Sequence, residues 1–164
     1  MGGEGLSTQG ILRLELTRWF IHPDSMQGMQ TPRELTAEAI RGLERRFRAV
    51  PGLLAVYLHG SAARGALRPG SDVDLACLFE GAPLAAVDIM DLAAEWGIGL
   101  LHPVDVGLLT TSNLVYAYQA LMQGRCIYCR DEAARDARVA TLLGIWAQFT
   151  REREEVRHAY AMAG

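Results

Sequence analysis

The chain has 164 residues, half of them apolar and 21% charged, with 16 basic against 19 acidic residues and a net charge of −3. That length suits a single domain whose core needs no disulfides, and the acidic balance argues against a general nucleic-acid binder, which carries a basic excess. Every basic residue is arginine, so no lysine is present for Schiff-base chemistry, and any anion must be held by guanidinium or backbone N–H groups.

No apolar run approaches the length of a bilayer span, and the opening MGGEGLSTQG is too polar for a secretory leader. The odd set of Cys77, Cys126 and Cys129 suggests free thiols in a reducing, cytoplasmic compartment. Cys126-Ile-Tyr-Cys129 imitates a metal-binding pair, but zinc wants four ligands and there is no second pair. Strand packing is the reading preferred for it.

Residues 1–30 read as an N-terminal arm and linker, followed by one domain over 31–164. Ile11 to Phe20 fits a strand or a helix equally, and HPDSMQGMQ is a linker by its Pro, Gly and Ser content. Thr31-Pro32-Arg33-Glu34 offers a capping box, predicting a helix to about Ala49 with Leu35, Ala39, Leu43 and Phe47 on one face. Pro51-Gly52 stops it, and Leu53 to His59 is a short apolar strand.

A second strand is predicted over Asp72 to Phe79, with Asp72 and Asp74 on one face and Val73, Leu75 and Cys77 on the other. A helix follows over Pro83 to Trp96. Val104 to Leu109 is a third strand, in which Asp105 points away from the side taken by Val104 and Val106. Ser112 to Met122 reads as helix, Cys126 to Cys129 as a brief strand, and Asp131 onward as a long helix striped by Val139, Leu142, Leu143, Trp146 and Phe149. Alternating strands and helices predict an α/β (α+β) architecture, a small mixed sheet flanked by helices.

Gly60 to Gly65 spells the first part of a P-loop, but Ala66-Leu67 stands where Lys-Ser/Thr should follow, so the Walker reading fails. What remains is a strand ending in Gly60-Ser61, where backbone can approach a ligand closely. Asp72 and Asp74 at period two would repel in a closed site unless cations neutralise them, and Mg²⁺ is the natural partner. A solvated turn after Pro69-Gly70 would explain the same pair. Asp105 is an acidic residue inside the apolar run HPVDVGLL, costly to bury without a partner. If its strand lies beside that of Asp72, three carboxylates converge; alternatively it faces solvent at an edge.

With Gly60-Ser61, ten intervening residues and Asp72-x-Asp74, the chain resembles the DNA polymerase β-like nucleotidyltransferase superfamily. GSAARGALRPGSDVDL is similar in every fixed position to the minimal nucleotidyltransferase (MNT) branch, whose pattern is G-S-x-A-R-G-x-x-x-x-x-S-D-x-D-L. The resemblance covers roughly Leu35 to Phe149. It implies that Asp72 and Asp74 ligate two Mg²⁺ ions (Mn²⁺ being an alternative). Asp105 would ligate the catalytic ion and assist deprotonation of the attacking hydroxyl. Gly60 and Ser61, with Ser71 and Arg64 nearby, would hold the triphosphate, although a structural salt bridge would equally explain Arg64.

The function so implied is transfer of AMP from ATP-Mg to a hydroxyl, in an MNT antitoxin a tyrosine of a cognate HEPN toxin. The alternatives are a small-molecule transferase, of aminoglycoside type, and a protein that neutralises a toxin by occlusion alone. No membrane partner is expected. His59 is read as a strand-end residue rather than a base, His102 as a turn residue, and Trp96 and Trp146 as core. Arg153-x4-His158-x-Tyr160 spells the R-x4-H-x-Y string of HEPN ribonucleases, and is read as coincidence because residues five apart do not share a helix face.

Overall fold

The computed structural model describes residues 35–68, 70–81 and 86–162. The expectations for residues 1–30, the capping box at 31–34 and the start of the Pro83 helix lie outside these. The first described helix, α1 (Ala37–Ala49), is capped instead by Thr36, whose hydroxyl accepts from the Ala39 N–H at 3.2 Å. It ends before Pro51-Gly52 as expected and buries Leu43 and Phe47.

Strand β1 (Leu53–Leu58) is buried at every position, and the short helix α2 (Gly60–Ala63) follows it directly. Then come β2 (Val73–Phe79), α3 (Ala86–Leu100), β3 (Val104–Leu108), α4 (Leu114–Gln123), β4 (Arg125–Cys129) and α5 (Glu132–Met162). The sheet order is β3-β2-β1-β4. β1 pairs antiparallel with β2 and β4, whereas β2 and β3 run parallel. The sheet is therefore mixed, with the crossover through α3 that a parallel pair requires.

Each face of the sheet has its own core. Val73, Leu75, Cys77 and Phe79 of β2 pack with Leu43 and Phe47 of α1 and Trp96 of α3. Trp96 meets Phe47 edge-on at a centroid distance of 4.8 Å. On the opposite face Ala76 and Leu78 join Ala117 and Ala120 of α4 and Leu142 of α5. Trp146 is only half-buried: it stacks on Tyr118 at 4.5 Å, fastening α5 to α4 rather than filling the centre.

Cys126 and Cys129 both pack against this second core, although three residues apart on a strand, because the β1–β4 register shifts between Val56 and Tyr57. All three cysteines are free, and no described helix is long and apolar enough to cross a membrane.

The helix expected to end near Trp96 runs on to Leu100. Its two late glycines are tolerated for packing: a β-carbon at Gly97 would stand 3.0 Å from the His102 carbonyl oxygen, and one at Gly99 would touch Arg46. Arg46 reaches back from α1 to the Glu95 carbonyl and carboxylate, each at 3.1 Å. Leu101, with φ 56°, then takes the left-handed position that stops the helix. His102 is in the turn, as expected, and is buried.

Glycines at exposed helix positions test this account. Gly42 of α1 and Gly144 of α5 have open space where a β-carbon would go, so each change to Ala should stabilise the chain by about 0.5–1 kcal/mol. Gly97→Ala should lower stability instead, the clash with His102 outweighing a helix-propensity gain of about 1 kcal/mol. Urea unfolding of the three variants, followed by circular dichroism, decides the signs.

Candidate active site

The parallel register sets Asp74 opposite Asp105. The alternation of β2 and β3 puts both on the α4/α5 face, away from Val73, Leu75, Val104 and Val106. The Asp105 strand thus lies beside that of the DxD pair, but β3 is also the end strand of the described sheet and Asp105 faces solvent there, as the alternative had it. Asp72 precedes β2 and is exposed, Asp74 is half-buried and Asp105 is exposed. Val73 donates its N–H to the Pro103 carbonyl at 2.8 Å, locking the start of the register.

The glycine turn meets these carboxylates from β1. The His59 N–H donates to the Asp74 carbonyl at 3.1 Å. Gly60 has φ 64°, and a β-carbon there would overlap the Asp74 carboxylate. Only glycine therefore lets the chain pass beneath Asp74 and turn into α2. Ser61 lies in α2, its carbonyl accepting from the N–H groups of Arg64 and Ala66 at 3.2 and 3.0 Å. The Ser71 hydroxyl is engaged within its own turn, accepting from the Arg68 N–H at 3.0 Å and donating to the Arg68 carbonyl at 2.8 Å. It braces the loop that delivers Asp72.

Burial pushes the Asp74 carboxyl above its usual range; His59 opposes the shift, the Asp105 and Asp72 charges add to it, and Arg64 opposes it more weakly. Arg64 is exposed and shares a shallow concavity with Arg125, the first residue of β4. Two guanidiniums thus flank the end of β1 from which Gly60 emerges.

Three features were missed in the sequence. Tyr116 of α4 lies over Gly107 of β3, where any β-carbon would collide with the phenol. Its hydroxyl is hydrogen-bonded to His59 Nε2 at 2.9 Å, and the two rings meet edge to face. Burial pulls the His59 imidazole below its usual range, while Asp74 and Asp105 oppose the shift. The strand-end histidine is therefore part of the site's wall. Gly107, a glycine inside an apolar strand, was the available signal of a close approach. Arg125 carried none.

Among the described residues, no three His, Cys, Asp or Glu side chains close into a ready-made metal cage. The donor set nonetheless fits a hard divalent cation. It offers oxygen ligands only, two of them on adjacent strands in direct register, and the carboxylate seated over Gly60 has its charge disfavoured by burial and like neighbours. Such a cation would need substrate oxygens to complete its shell, as Mg²⁺ does when it arrives with a triphosphate. A separate hollow lies at the other end of β2 and β3, lined by Cys77, Leu108, Arg138 and Leu142.

Comparison with known proteins identifies the fold and the family. One chain of a toxin–antitoxin crystal structure with AMP-PNP is 22% identical, with a TM-score of 0.61 over 76% of this chain and 97% of that chain. The toxin–antitoxin MntA–HepT structure gives 19% identity and a TM-score of 0.61 over 77% of this chain and 99% of that chain. A tri-AMPylated Shewanella oneidensis HEPN toxin in complex with MNT antitoxin gives 19% and 0.60, over 76% and 97%. These likenesses establish the fold, and no curated protein sequence matches. The family described as "Polymerase beta, Nucleotidyltransferase" matches residues 43–133, more than half of the chain and the whole of the carboxylate site. The chain belongs to the polymerase beta nucleotidyltransferase family.

Proposed function

We propose that the chain is an MNT-type antitoxin enzyme that transfers AMP from ATP to a tyrosine hydroxyl of a HEPN toxin. The observation carrying the reading is the juxtaposition of Asp74, Asp105 and the Gly60 turn. The complexes of similar fold, one with AMP-PNP and one with an AMPylated HEPN toxin, support the choice of nucleotide and acceptor. The three free cysteines support a cytoplasmic location.

In this reading Asp72, Asp74 and Asp105 hold two Mg²⁺ ions, and Asp105 also assists removal of the acceptor proton. The ions supply charge stabilisation for the attacking and leaving oxygens of an in-line displacement. Gly60 and Ser61 present backbone to the β- and γ-phosphates. Arg64 neutralises their charge, joined by Arg125 across the shared concavity, and Ser71 keeps Asp72 in place. Tyr116 holds the His59 ring against the carboxylates.

Asp74→Asn keeps the side chain's size but removes a ligand charge, so adenylyl transfer to a HEPN toxin protein should fall about 100-fold or more. The fold should persist by circular dichroism. Neutralisation of the toxin by this variant at equal stoichiometry would instead establish occlusion, and turnover with an aminoglycoside but not with the HEPN protein would establish a small-molecule transferase.

Binding gives an independent check. ATP should bind more tightly with Mg²⁺ than without it in titration calorimetry, because phosphate oxygens complete the ion's shell. Arg64→Ala should weaken Mg-ATP binding by about tenfold. Equal affinity with and without Mg²⁺ contradicts the two-ion reading.

A further inference from the structure

Arg153-x4-His158-x-Tyr160 lies beyond the family-matched residues, and neither the fold nor the site described above uses it. It falls on the last part of α5, where every residue from Arg151 to Met162 is exposed. On this helix Arg153, Arg157 and Tyr160 follow at i, i+4 and i+7, forming one stripe, while His158 points elsewhere. The stripe borders a shallow groove that also includes Phe149, Glu152 and Val156.

Tyr160 is 79% exposed. The other tyrosines are committed: Tyr57 and Tyr128 are buried, the Tyr116 hydroxyl is bonded to His59, and Tyr118 is stacked on Trp146. The neighbouring guanidiniums are loosely held. Arg157 makes a long 3.6 Å pair with Glu154, and Arg153 lies over the Phe149 ring at 5.6 Å. Both can turn to an incoming phosphate. At 1.5 Å per residue, Tyr160 stands roughly 20 Å beyond Trp146, where α5 stacks on α4. A continuous helix carries the phenol away from its own domain.

We propose that Tyr160 is an acceptor for the nucleotidyl transfer catalysed by a second copy of the chain. This rests on the nucleotidyltransferase reading of the carboxylate site. The Tyr160 phenolic oxygen attacks the α-phosphorus of ATP and a new O–P bond forms. The bond between the α-phosphorus and the bridging oxygen to the β-phosphate breaks, pyrophosphate leaves with the electron pair, and the phenolic proton passes to solvent with the assistance of Asp105 in the catalysing copy. The resulting phosphodiester carries a negative charge beside Arg157 and Arg153, which stabilise it by charge-assisted hydrogen bonds.

The test mixes two variants with Mg²⁺ and ATP labelled at the α-phosphate. Tyr160→Phe serves as enzyme with its site intact, and Asp74→Asn serves as acceptor with Tyr160 intact. Asp105→Asn is a second acceptor in case the first fails to fold. Label is expected on the acceptor chain alone, in the tryptic peptide that begins at His158, with a mass gain of one adenylyl group. Replacing both Arg153 and Arg157 by Ala in the acceptor should slow labelling about tenfold.

Label at another residue, an unlabelled acceptor, or an unchanged rate in the arginine variant overturns the proposal. The HEPN protein in a parallel tube separates the two readings. If Tyr160→Phe adenylylates it while the acceptor chain stays unlabelled, only this inference fails; if neither is labelled, both do.

Discussion

The parallel pairing of β2 with β3 is the interaction on which the rest of this molecule depends. It sets two like charges, Asp74 and Asp105, side by side, which is unfavourable by itself. The opposite face of the same strands compensates. There Val73, Leu75, Cys77 and Phe79, with Val104, Val106 and Leu108 beside them, pack on Phe47 and Trp96, and each buried aliphatic or aromatic side chain contributes about 1.5–3 kcal/mol. The Val73–Pro103 and Leu109–Cys77 backbone bonds, at 2.8 and 2.9 Å, close the register at both ends. A one-residue slip would turn the carboxylates into that apolar layer.

The remaining site features follow from this register. Gly60 passes beneath Asp74 because β1 ends where β2 begins, in antiparallel pairing. Tyr116 can lie over Gly107 because β3 brings that glycine two residues past Asp105 on the same face. His59 joins the two, bonded through its backbone to Asp74 and through its ring to Tyr116. The α4/α5 layer is thus both the second core and the support for one wall of the site.

Much of this was legible in the sequence because it is written in local pattern. Asp72 and Asp74 at period two, Asp105 inside an apolar run and the Gly60-Ser61 turn identify themselves by what each costs or permits. The strand positions were found to within a residue or two, since short apolar runs between turn residues have few other readings. What was not legible depends on partners distant in the chain. Nothing near Tyr116 says that its hydroxyl meets His59, and Arg125 gains its place by pairing with Leu58. The helix expected to end near Trp96 runs on through Gly97 and Gly99 to Leu100. Their smallness serves the approach of the His102 backbone and of Arg46.

The crossover between β2 and β3 also governs when the site comes into being. The connection from β1 to β2 is shorter than the crossover from β2 to β3, so that pair can form earlier, whereas β3 must wait for the whole of α3 to be made and docked. Closing that longer loop costs more chain entropy, and such non-local pairings form late. A chain still being synthesised can therefore carry the glycine turn and the first two carboxylates, yet lack the third. The three-carboxylate arrangement is withheld until β3 has docked.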